Sequence, residues 1–238
     1  MALPKISEIR YSALVPSLNK EIEYVPYTVL QEKNLMLAMQ SDNQKQITIQ
    51  TKRLLTECIR TEGVDVNELT TFDVETLFLN LRCKSVGDVA LVATKCTECD
   101  TVNEVDIDLS AVELTQELAD AKAMRIIVSE EDQIGVVLRY PRIDDVSHNP
   151  KNSDVENVYE MIINCMVSIY TPDEVFDCKQ EGKKEVVAFV DSLRSSQFAK
   201  IAEFFEKVPS IKVDMKYTCI KCQHEYSREI VGLNNFFT

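Results

Sequence analysis

Four of the eight cysteines fall into two pairs of identical spacing: Cys96 and Cys99 in KCTECD, Cys219 and Cys222 in TCIKCQ. A thiolate at each end of a Cys-x-x-Cys turn, with the intervening backbone N–H groups aimed at the sulfurs, is half of a tetrahedral zinc site, and two such turns complete it. The long stretch between the pairs is no obstacle, because loop-closure entropy grows only with the logarithm of loop length. The set Cys96, Cys99, Cys219 and Cys222 is therefore expected to hold one structural zinc per chain. A four-thiolate site is coordinatively closed, so its role would be to fold the protein rather than to catalyse.

Two other readings of these residues stay open. One is a thioredoxin-like redox pair, which needs a thiol-activating helix N-terminus; neither pair is followed by a helical pattern. The other is a set of unliganded core thiols, which leaves the matched spacing unexplained. The position after the second cysteine, where glycine often stands, holds Asp100 in one pair and Gln223 in the other. Asp accepts a left-handed backbone more readily than Gln. His224 is an alternative ligand or an exposed turn residue. Cys58, Cys83, Cys165 and Cys178 show no pairing, and Cys58 and Cys165, on apolar helix faces, read as core.

The elements that must position the pairs are two similar β arrangements. DVALVATKCTECDTVNEVDIDL reads as strand, cysteine turn and strand, and SIKVDMKYTCIKCQHEYSREIVGL repeats that layout. Ahead of the first, TVLQEKNLMLAMQ and QITIQTKRLLTECI fit two helices joined near Ser41–Gln44. A third helix is capped by Thr70 with Asp73 three residues on, and Val74, Leu77, Phe78 and Leu81 form one apolar stripe ending near Gly87. Residues 1–27, broken by Pro16 and Pro26, read as short extended segments with a hairpin turn at Ser17–Lys20. That segment either packs across the helices of 28–60 or adds strands to a neighbouring subunit.

Between the cysteine arrangements, MRIIVS and GVVLRYPR suggest a hairpin turning near EEDQIG. DVENVYEMIINCMVSIY, KEVVAFVDSL and SQFAKIAEFFEKV suggest three helices, the last stopped by Pro209. The predicted fold class is α+β. Short strands and helices occupy 1–87, and a split zinc-ribbon-like region occupies 88–238. Its hairpins, 88–109 and 211–233, are interrupted by a mainly helical α+β insertion over 110–210.

The chain has 238 residues, 45% of them hydrophobic and 27% charged, enough to bury a sizeable core. No apolar run approaches the ~20 residues that span a bilayer, and MALPKISEIR lacks the apolar stretch of a secretory signal. A reducing cytosol is the expected compartment, where paired cysteines bind metal more often than they form disulfides. The formal net charge of −13, with no Lys/Arg block, disfavours sequence-independent nucleic-acid binding. Around the first pair, Lys95 stands against Glu98, Asp100, Glu104, Asp106 and Asp108. Only five glycines are present and no phosphate-binding loop is found. The two histidines, His148 and His224, join no catalytic pattern, so a non-enzyme is expected.

Three stretches in this order carry a resemblance: PS…EYVPYTVLQEKNLMLAMQS, then LTTFDVETLFLNLRCKSVGDV, then the Cys-x-x-Cys strand pair. Together the chain resembles the T4-type bacteriophage baseplate hub subunit family over most of its length, with FDVETLFLNLRCKSVG the most specific piece. The resemblance implies a structural or assembly role in the central hub of a contractile-tail baseplate. The partners it implies are other hub and tail-tube proteins in a symmetric assembly, met in the host cytoplasm and in the virion tail. It brings no catalytic residues. A zinc-ribbon protein of the transcription machinery and a cytosolic thiol redox enzyme are the competing functions; local charge tests the first and metal content the second.

Overall fold

A computed structural model describes residues 6–41, 43–120, 124–146 and 152–232. His148, residues 1–5 of the N-terminal segment and residue 233 of the second hairpin lie outside the described residues. The chain divides into two compact units, Met1–Thr115 with Ser210–Thr238, and Gln116–Pro209.

The first unit opens with strands β1 (Tyr11–Val15) and β2 (Lys20–Tyr24), paired antiparallel across a four-residue turn. Period-two alternation turns Ala13, Val15, Ile22 and Tyr24 inward, where all are buried. Helices α1 (Val29–Gln40) and α2 (Gln44–Cys58) follow, the second capped by the Asn43 side chain accepting from the Gln46 amide. Val25 N–H donates to Cys58 O and Arg60 N–H to Glu23 O, so the N-terminal segment is bonded to the end of α2. Residues 11–25 of that segment thus pack against their own unit.

Helix α3 (Thr71–Ser85) is the centre of this unit. Thr70 and Asp73 form the expected capping box, and Phe72, Val74, Leu77, Phe78, Leu79 and Leu81 are all buried. Asp73 does more than cap. Fully buried, its carboxylate accepts from the Thr70 amide and hydroxyl, and also from the Ser17 amide (2.9 Å) and hydroxyl in the β1–β2 turn. A buried carboxylate is tolerable only when its lone pairs are filled, and here four donors fill them. The helix ends before Gly87, whose φ of +139° is closed to side-chain-bearing residues.

Strands β3 (Val89–Lys95) and β4 (Val102–Asp108) pair in unbroken register, followed by a single 3₁₀ turn, Leu109–Ala111. The two-residue strand β5 (Glu113–Leu114), absent from the sequence reading, pairs with a strand of the C-terminal hairpin described below.

In the second unit β6 (Arg125–Ser129) and β7 (Ile134–Leu138) form the expected hairpin. The expectation of one helix through DVENVYEMIINCMVSIY fails. Helix α4 (Asp154–Asn164) ends at Cys165, and Met166–Tyr170 is strand β8. Val167 and Ile169 favour strand, and β8 gains ladders on both sides, with β7 and with β9 (Val175–Asp177). Gly135 admits this sheet: a Cβ there would collide with the Tyr170 ring across the ladder. Helices α5 (Cys178–Glu181), α6 (Lys183–Ser192) and α7 (Ser195–Glu206) complete the unit.

The chain returns to the first unit at Ser210, where Thr115 N–H donates to Ser210 O and Ser210 N–H to the Thr115 hydroxyl. Glu75 of α3 accepts from the Ser210 hydroxyl and the Ile211 amide, fixing the start of β10 (Ile211–Thr218). β10 pairs with β5 on one side and β11 (Glu225–Val231) on the other. The two cysteine hairpins and α3 share one core of Leu79, Ala90, Val92, Val105, Ile107, Leu109, Ile211, Val213, Met215 and Ile230.

Candidate metal centre

Strand alternation delivers the first sulfur of each pair. Ala90 and Val92 face the core from β3, and Cys96 continues that parity just past the strand end; Ile211, Val213 and Met215 do the same for Cys219. Both first cysteines are buried, whereas Cys99 is half-buried and Cys222 exposed. Each turn then closes with the same two backbone bonds. Cys96 N–H donates to Thr101 O and Asp100 N–H to Cys96 O; Cys219 N–H donates to His224 O and Gln223 N–H to Cys219 O. Asp100 and Gln223 adopt φ values of +54° and +58°. Both side chains therefore accept the left-handed position that glycine often fills, Gln223 included.

The four sulfurs converge. Cys96 Sγ lies 3.6 Å from Cys222 Sγ, Cys99 Sγ lies 3.6 Å from Cys219 Sγ, and all four are within 4.8 Å of one another. A disulfide needs about 2.05 Å, so these are separate thiols. A tetrahedron of sulfurs about 2.3 Å from a zinc ion has edges of about 3.8 Å. The cluster is thus close to the size such an ion requires. Its donors are also of the right kind, since four soft sulfurs and no oxygen select zinc or iron over magnesium or calcium.

The electrostatics point the same way. The amides of Cys222 and Lys221 are aimed at the Cys219 sulfur and pull its pKa down to about 6. Cys99 is lowered by hydrogen bonds from the Thr101 hydroxyl and amide. Cys222 is pushed up to about 12: the His224 amide pulls it down, but local desolvation and the neighbouring sulfurs of Cys99, Cys96 and Cys219 outweigh that amide. Thiolates this close repel one another, and a cation among them would relieve that repulsion.

Asn103 is the residue the sequence reading missed. Buried at an inward position of β4, it donates from its side-chain amide to Thr101 O (2.9 Å) and accepts the Ile220 amide on Oδ1 (3.0 Å). One side chain thus holds both cysteine turns. The available signal was a polar residue on the same parity as Val105 and Ile107. His224 is exposed and stands outside the sulfur cluster.

Among the described residues no other group of three or more Cys, His, Asp or Glu donors gathers. Cys58 and Cys165 are fully buried, and burial pushes their thiols up to about 11 and about 12. Cys178 and Cys83 are raised for the same reason.

A small α+β chain whose divided halves meet at four cysteines is the architecture on which the comparison with known proteins bears. The T4 bacteriophage base plate protein family matches residues 6–238, and the chain belongs to that family. Among individual proteins, the baseplate hub assembly protein gp26 of Enterobacteria phage T4 is 24% identical over 206 residues, 86% of this chain and 88% of that protein. No solved structure matches significantly.

Proposed function

We propose that this chain is a structural or assembly component of the central hub of a contractile phage tail baseplate, acting through protein surfaces. The observation that carries this is the family match, which runs through both units and both cysteine hairpins. The hub assembly role of the T4 relative gives it direction. Other hub and tail-tube proteins would be its partners, first in the host cytoplasm and then in the tail. Among the described residues no helix is long and apolar enough to cross a membrane.

Within this reading Cys96, Cys99, Cys219 and Cys222 hold one structural zinc, and the hairpins of 88–109 and 211–233 form a ribbon split by the insertion over 110–210. Zinc bound there would supply folding free energy by tying the two turns together. The chain's own contribution is to present four sulfurs on left-handed turns, aim amides at them, and brace them through Asn103. A transcription-type zinc ribbon is disfavoured by the exposed Glu104, Asp106 and Asp108 on the first hairpin, which repel phosphate.

Deleting the gene from the phage and imaging tails by electron microscopy tests the role. Baseplates lacking a finished hub are expected, and normal infectious tails would refute it. Elemental analysis of protein purified without chelator should find about one zinc per chain; a metal-free, fully folded protein would refute the metal assignment.

A further inference from the structure

The outer face of the β3–β4 hairpin serves neither the core nor the sulfur cluster. Register places Val89 opposite Asp108, Leu91 opposite Asp106 and Ala93 opposite Glu104, with every one of these side chains turned to solvent. The face is therefore an apolar row of Val89, Leu91 and Ala93 on β3, ending in Lys95 opposite Val102, beside a carboxylate row on β4. Val89 is 55% exposed and Leu91 61%, and Val102, ending the carboxylate row, is 53%. An antiparallel ribbon with one buried face normally turns polar residues outward along both strands. Here β4 does so through Glu104, Asp106 and Asp108, whereas β3 does so only at its end, with Lys95.

The carboxylates gain little from their own chain. Same-face neighbours on a strand stand about 7 Å apart, and no ion pair joins Glu104, Asp106 or Asp108 to another described residue. Among the described residues the Asp108 carboxylate accepts only from the amide and hydroxyl of Ser110. Three like charges in a row repel one another, so the arrangement is unfavourable until cations oppose it. The net charge of −13 and the absence of a Lys/Arg block favour a different, basic partner over a second copy of this acidic chain.

We infer that this face docks a different baseplate protein, one presenting a row of Lys or Arg side chains beside an apolar row. Apolar contact with Val89, Leu91 and Val102 supplies burial, and the charge rows set register and orientation. The inference rests on the hub reading only for where the partner is found.

The test uses the full-length, metal-containing chain, tagged and co-expressed with the other baseplate proteins of the same phage. A zero-length carbodiimide reagent joins carboxylates to lysine amines in direct contact, and mass spectrometry locates the joined peptides. Cross-links from 102–108 to lysines of another baseplate protein are expected. The Glu104→Lys/Asp106→Lys variant should recover about tenfold less of that protein at an unchanged melting temperature. If it folds poorly, Glu104→Gln/Asp106→Asn removes the charge at constant shape and should weaken recovery in the same direction, as should added salt. Recovery unchanged by both variants, or cross-links confined to a second copy of this chain, overturns the inference. Wild-type protein that recovers no baseplate protein overturns this inference and the hub reading together, whereas wild-type recovery insensitive to the variants overturns this inference alone.

Discussion

Replacing Asn103 by Ala separates the two cysteine turns without touching a sulfur. The side chain makes two hydrogen bonds, to Thr101 O and from the Ile220 amide, and is buried. Each such bond is worth about 1 kcal/mol net, and an amide left without a partner adds about 1 kcal/mol or more. A loss of about 2–3 kcal/mol follows, concentrated where the second turn meets the first. Expressed as zinc affinity, about 2 kcal/mol is about thirtyfold, inside the range of about 10–100-fold seen when groups behind metal ligands are removed. Competition against a chromophoric chelator measures that ratio, and thermal melts with and without added zinc measure the stability. Glu104→Gln, one residue away on the outer face, should leave both unchanged. If Asn103→Ala kept wild-type zinc affinity, or melted lower while binding zinc equally well, Asn103 would be a core polar residue and the bracing argument would be wrong.

Phe78→Ala should cost about 3–5 kcal/mol in urea unfolding, because the ring is buried on α3; a loss under about 1 kcal/mol would mean that the helix face is not core. Alkaline pH should destabilise the fold. Burial raises Cys58 to about 11, and Cys165, Tyr24 and Tyr27 each to about 12. These groups ionise first in the unfolded chain, so their contribution is complete below the unfolded values of about 9 to 10 and is lost as pH climbs toward 12. Urea midpoints at pH 7, 9 and 10.5 should fall monotonically across the upper interval, and a flat profile would contradict the burial of these groups.

What the sequence disclosed follows from where its signals were local. The Thr70–Asp73 cap, the α3 stripe and the strands running into each cysteine pair need only neighbours within a turn or a hairpin, and all are found. The four-sulfur cluster was legible because identical spacing forces identical turns. Strand β8 was not, because the apolar run from Met161 to Tyr170 contains no breaker and its strand character comes from β7 and β9. Strand β5, two residues long, exists only through its pairing with β10. Asn103 escaped because a polar side chain next to a cysteine turn reads as solvent-facing, although it shares the inward parity of Val105 and Ile107. The second role of Asp73, in holding Ser17, joins residues 56 apart and left no trace in pattern.

The shared core of α3, β3, β4 and β10 has a consequence for how the protein is made. Synthesis runs from the N-terminus, so Leu79, Val92 and Ile107 emerge long before Ile211, Val213 and Met215, which cover them. During that interval the first hairpin has one finished cysteine turn and an uncovered apolar face, while the residues of Gln116–Pro209 are added. Closing the first unit then requires contacts such as Glu75 to Ile211, 136 residues apart, and distant contacts form slowly. The nascent chain is at its most aggregation-prone in this window, and the arrival of Cys219 and Cys222 ends it. On the proposed zinc reading, a cell short of that metal would prolong the window, making metal supply a control on the yield of soluble protein.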